Sequence, residues 1–98
     1  MRKALLALAC LSSLPAAAHQ APGGWSYDMA CCSGQDCRPV EPGEVTASPN
    51  GYEVAPTGEV VPFNSPKVRP SGDGAMHRCM HGGVTTAPTI CIYVPGGV

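Results

Sequence analysis

Beyond residue 18 this chain contains no leucine, yet it carries five cysteines. That combination constrains the fold more than any other feature. The 80 residues from His19 to Val98 hold nine valines, two isoleucines and one phenylalanine, interrupted by twelve glycines and ten prolines. So little large aliphatic surface falls below what a small domain ordinarily needs to close a core. A chain of this make-up is either disordered or stapled, and five cysteines in an exported domain argue for staples.

Export is read from the first residues. Arg2 and Lys3 precede an apolar run, Ala4 to Leu11, and Ala16-Ala17-Ala18 supplies small residues for cleavage. This is the order of a signal peptide, assigned to residues 1–18, with His19 as the mature N-terminus. The apolar run is too short to span a bilayer, so no stable membrane insertion is expected after cleavage. A rival reading makes Cys10 of "LALAC" a lipid-modified cysteine. Too few apolar residues precede it, and Ala7 stands where such signals usually carry leucine. The expected location is therefore the periplasm or the outside of the cell. Four basic residues stand against seven acidic ones after residue 18, with no basic stripe, which argues against a nucleic-acid partner.

Residues 19–30 read as a flexible N-terminal arm and residues 31–98 as one small Cys-rich β domain. Recurrent prolines and the lack of a helical apolar period exclude long helices. In "EVTASPNGYEVAP" the dipeptide Asn50-Gly51 suits a type I′ turn. That register pairs Ala47 with Val54 and places Val45, Ala47, Tyr52 and Val54 on the buried side. "VVPF" and "KVRP" read as short extended pieces, Ser71-Gly72-Asp73-Gly74 as a turn, and "TICIYV" as the strongest strand. The expected fold is a small all-β, antiparallel, loop-rich unit stabilised by disulfides.

With Cys10 removed, Cys31, Cys32, Cys37, Cys79 and Cys91 remain, and five cannot all pair within one chain. A Cys79–Cys91 bond is conceivable, because a hairpin centred near Thr85 sets them opposite each other. The preferred arrangement instead links at least one of Cys31, Cys32 and Cys37 to Cys79 or Cys91, since the N-terminal segment has few aliphatics to hold it. The odd cysteine is available for a disulfide-linked dimer. No Cys-x-x-Cys pair occurs, so a thioredoxin-like role lacks its basic element.

"GAMHRCMHGG" gathers Met76, His77, Cys79, Met80 and His81, all donors to soft metals. On a strand His77, Cys79 and His81 share one face, a start for copper or zinc. His19, as a free N-terminus, adds a two-nitrogen chelate for copper. Against this, a disulfide at Cys79 consumes its thiolate, and one strand seldom closes an ion's shell alone. The basic residues Arg38, Lys67, Arg69 and Arg78 read as a solvated face rather than an anion site. No nucleophile arrangement or acid–base pair of carboxylates is visible, so no enzyme is expected.

"WSYDMACCSGQDCRPV" resembles the opening of an uncharacterised family of short exported, Cys-rich bacterial and phage-associated proteins. The shared pattern is an aromatic residue (Tyr27), the CC-x4-C cluster, a glycine-turned hairpin and single cysteines on two late strands. The resemblance implies export and disulfides and brings no activity. The function expected from the sequence is an exported, disulfide-stapled binding or structural module. Its partner would be a protein or a component of the cell envelope, and Gly82 to Pro88 is the loop to watch. The alternative is a periplasmic copper- or zinc-binding protein.

Overall fold

The computed structural model describes residues 21–32 and 36–97. The signal peptide expected at residues 1–18, Cys10 and His19 lie outside the described residues.

Seven short strands follow a single turn of helix, α1 (Met29–Cys32). They are β1 (Asp36–Pro39), β2 (Val45–Ser48), β3 (Gly51–Val54), β4 (Glu59–Val61), β5 (Val68–Pro70), β6 (His77–Met80) and β7 (Thr89–Val94). They form a four-stranded sheet in the order β1-β6-β7-β5 and a three-stranded sheet in the order β2-β3-β4. The small all-β, disulfide-stabilised fold expected from the sequence is what the chain forms. One pairing departs from the antiparallel expectation. β5 runs parallel to β7 (Val68 opposite Ile92), because the chain crosses back through residues 71–76 before β6 enters between β1 and β7. Pro39 and Pro70 sit on the two outer strands of this sheet, where a missing N–H costs no ladder bond.

β7 is covered on both faces, which explains its uninterrupted β-branched and aromatic run. Cys91 and Tyr93 face a cluster with Cys79, Cys31, Tyr27 and Ala21, against which Trp25 and Cys37 pack. Ile92 and Val94 face the other way, into Val45, Tyr52, Val54 and Val61 of the smaller sheet. All four residues of β6 are buried, His77 and Cys79 towards the first cluster and Arg78 and Met80 away from it.

The disulfides are Cys31–Cys91 and Cys37–Cys79. Both tie the N-terminal segment to the central strands, as the preferred arrangement requires. Cys79 and Cys91 do face each other across β6 and β7, but each is bonded to an N-terminal cysteine instead. The side chain of Cys32 is outside the described set.

Two expectations are corrected. Residues 21–28 are not a loose arm: Ala21 and Tyr27 are buried, and the Trp25 indole meets the rings of Tyr27, His77 and Tyr93 at centroid distances of 5.1, 5.0 and 5.3 Å. The Asp28 N–H donates to the Tyr93 hydroxyl at 2.7 Å, and the Asp28 carboxylate pairs with Arg69. Aromatic rings, rather than aliphatics, dock this segment.

The hairpin turn is also displaced by one residue. Val45 pairs with Val54 and Ala47 with Tyr52, so Pro49-Asn50 forms the connection. Asn50 keeps a negative φ, which a type I′ turn does not allow, and the Pro49 ring presets the negative φ of a first turn position. The Asn50 N–H donates to Ser48 Oγ, whose hydroxyl donates to the Gly51 carbonyl. The one-residue displacement changes the pairing by two and so preserves the faces; Val45, Tyr52 and Val54 are buried, but Ala47 at the hairpin end is exposed.

Candidate functional site

Arg78 lies on a strand between Met76 and Met80, yet its side chain is wholly buried. A buried guanidinium must satisfy its donors within the protein. Here Nε donates to Thr89 Oγ1 at 2.8 Å. Nη1 donates to Glu44 Oε2 at 2.9 Å and to the Thr85 carbonyl at 3.0 Å. Nη2 donates to the Ala87 carbonyl at 2.9 Å and lies 3.8 Å from Glu59 Oε1.

Local structure places each partner. Glu41-Pro42-Gly43-Glu44 is a reverse turn with Gly43 at φ +82° and the Glu44 N–H on the Glu41 carbonyl. That is the pattern of a type II turn, in which glycine takes the positive φ, and it aims Glu44 inward. Strict alternation along β7 would put Thr89 on the Cys91 side. The register shifts between Cys79 and Met80, so that Met80 pairs with Thr89 and Ile90 is the extra residue. A bulge of this kind re-aims the residue beyond it, and Thr89 turns to Arg78. Glu59, at the start of β4, accepts the Thr89 hydroxyl at 2.7 Å and the Thr89 N–H at 3.1 Å.

Electrostatics follow from this packing. Burial pushes the Glu44 carboxyl up, but the Glu41 amide and the guanidiniums of Arg78 and Arg38 outweigh it and hold it below the ordinary glutamate value. Burial opposes ionisation of Glu59 as well; the Thr89 and Thr57 hydroxyls, the Thr89 amide and Lys67 bring it below the ordinary value. Both carboxylates are thus charged opposite Arg78 at neutral pH. The cationic centre does not serve as a solvated face; it braces the segment between β6 and β7.

That segment is the loop singled out in the sequence. His81–Gly83 form a 3-10 turn. The Val84 N–H returns to the His81 carbonyl, and the Ala87 N–H to the Val84 carbonyl. Arg78 then grips the carbonyls of Thr85 and Ala87 from below. Above, Val84 is 53% exposed, and Thr86 and Pro88 are exposed too. The loop is fixed at its base and apolar at its crest.

Among the described residues the alternative metal cluster does not assemble. Cys79 is bonded to Cys37. His77 is buried with both ring nitrogens engaged, Nε2 with Asp73 Oδ1 and Nδ1 with the Tyr27 hydroxyl, each at 2.9 Å. The carboxylate can only accept, so Nε2 donates to it, while Nδ1 shares a hydrogen bond with the Tyr27 hydroxyl. Met80 is buried on the opposite face, Met76 packs on the aliphatic cluster, and His81 is exposed in the 3-10 turn rather than on the strand. Among the described residues no group of three or more His, Cys, Asp or Glu side chains is placed to hold a metal ion.

Asp73 is the other perturbed carboxyl. The His77 ring, then the Ala75 amide, hold it far below the usual aspartate value, with Ser71 and Trp25 also donating to it. Sequence reasoning placed Asp73 in a turn and missed its bonds to His77 and Trp25. The Arg78 network was missed as well, although an arginine on the same strand face as two methionines was a signal for it.

No family model, curated protein or solved structure matches this chain. Among the described residues no helix is long and apolar enough to cross a membrane.

Proposed function

We propose that the chain is an exported binding module, acting in the periplasm or outside the cell, and that residues 82–88 form its recognition loop. The observation that carries this reading is the fully buried Arg78 guanidinium donating to the carbonyls of Thr85 and Ala87. A loop ordered before encounter loses less entropy on binding. A buried charge is a costly brace whose worth lies in fixing one conformation. The exposed Val84 gives a partner an apolar anchor next to the exposed hydroxyl of Thr86. Binding is favoured over catalysis because Glu44, Glu59, Asp73 and His77 are each engaged inside the fold. The partner is a protein of the envelope or the surroundings, with an apolar pocket of valine size.

The test is affinity capture from the extracytoplasmic fraction with the wild-type chain and with Val84→Asp/Thr86→Asp, alongside the mass of the exported form. The reading expects a mature chain starting at His19 and a protein retained by the wild type but lost by the folded loop variant. Equal retention by both rejects the loop, and a chain still carrying residues 1–18 in the cytoplasm rejects export.

A further inference from the structure

The Asn50-Gly51 pair plays no part in the recognition loop, and its setting has a chemical consequence of its own. Asn50 is exposed in the two-residue connection between β2 and β3. Among the described residues its side-chain amide has no hydrogen-bond partner. The next residue must be glycine. Gly51 has φ +143°, and a Cβ there would lie 2.3 Å from the Val61 carbonyl oxygen and 2.9 Å from Pro62 Cα. The close approach of β3 to the end of β4 therefore fixes a residue whose amide nitrogen no side chain shields.

We propose that Asn50 is a self-modification site, deamidating through a cyclic imide with Gly51. The Gly51 nitrogen adds to the Asn50 side-chain carbonyl carbon when the closing Ser48–Gly51 pair frays. That C–N bond forms, the C–NH2 bond breaks, and ammonia leaves with the Gly51 amide proton relayed through solvent. Water then opens the imide at one carbonyl or the other, giving aspartate or isoaspartate. Nothing is oxidised or reduced.

The fold makes the second product consequential. Isoaspartate inserts a methylene into the main chain of a two-residue connection. Gly51 cannot shift to absorb it, because it is wedged against Val61 and Pro62. Strain passes instead to the pairing of Ala47 with Tyr52 and Val45 with Val54, which holds the buried face of the small sheet. The product also carries a new negative charge on a part of the chain already rich in acid.

The folded, oxidised protein is aged in mildly alkaline buffer and followed by intact mass, peptide mapping and enzymatic methylation of isoaspartate. The expected result is the mass gain of an amide-to-acid conversion placed at Asn50, methylatable, well ahead of any change at Asn64. Asn64 precedes Ser65 and serves as the internal control. The separated isoaspartyl fraction melts below the unmodified protein. A constant mass at Asn50 in the folded chain, or a gain seen only after reduction and unfolding, overturns the site. An unchanged melting midpoint of the isoaspartyl fraction overturns the coupling to strand register.

Discussion

The two faces of the four-stranded sheet are closed by different chemistry. One carries Cys79, Cys91 and Tyr93 and is covered by an N-terminal segment of rings and sulfur. The other carries Ile92 and Val94 and is covered by the valines and Tyr52 of the small sheet. Each also buries one basic side chain of β6, His77 against Asp73 on the first face and Arg78 against Glu44 on the second. The aliphatic face holds itself by burial, at about 25 cal/mol for each Å² of apolar surface removed from water. The sulfur face has little such area and is tied instead through loops of 60 and 42 residues. Because β6 and β7 belong to both faces, neither can dissolve alone. Two incomplete cores share one sheet, and cross-links make up the deficit of the poorer one.

The largest expected effect of a single substitution is on the aliphatic face. Arg78→Ala takes from the buried Glu44 its fully buried partner and leaves it only the partly exposed Arg38 guanidinium. Loss of one partner of a buried pair costs about 3–5 kcal/mol, and Arg38 keeps the expected loss at the lower end. Urea unfolding measures the loss. The same variant frees the carbonyls of Thr85 and Ala87, so hydrogen exchange in residues 82–88 rises. Arg78→Met with Glu44→Gln restores part of the stability and none of the loop protection. If loop exchange stays unchanged in Arg78→Ala, the arginine is no brace.

Acid acts on both faces and ranks next. Glu44, Glu59 and Asp73 all sit below their ordinary values in the folded state. A group lowered on folding stabilises above its unfolded pKa and loses that contribution as pH falls through its folded value. Stability is therefore flat from neutrality to about pH 5 and declines below it. The decline is shallower in Arg78→Ala, which loses the Arg78 share of the lowering at Glu44 while the Glu41 amide and Arg38 keep theirs. A stability maximum below pH 4 contradicts that direction.

Tyr27→Phe is the smallest test. It removes the hydroxyl at His77 Nδ1, a loss of about 1 kcal/mol for a hydrogen bond of this kind. The change belongs to the sulfur face, so exchange in the 82–88 loop stays as in the wild type. A loop that loosens in this variant blurs the division between the faces.

Much of this was legible in the sequence. The shortage of aliphatics with five cysteines announced the staples, and "TICIYV" announced the central strand. The metal-like run stayed open as an alternative because donor type alone does not show what each donor already holds. Cys79 had a sulfur partner, while His77 had an aspartate four residues back and a tyrosine fifty residues back. The buried Arg78 stayed hidden because its partners are a turn residue 34 positions earlier and a threonine swung round by a bulge. Alternation cannot see a bulge. The turn at Pro49-Asn50 was misplaced because Asn50-Gly51 outweighed the preceding proline, although proline alone fixes its own φ.

The most direct measurement is the thermal unfolding of a chain in which Cys31, Cys37, Cys79 and Cys91 are all replaced by alanine, followed by the fluorescence of Trp25, the only tryptophan. Each cross-link contributes about 4 kcal/mol in the chain-entropy model, and together they reach the whole stability of a small domain. The account predicts a chain with an exposed indole and no cooperative transition. A cooperative melt with Trp25 still shielded, near the temperature of the oxidised protein, would contradict it.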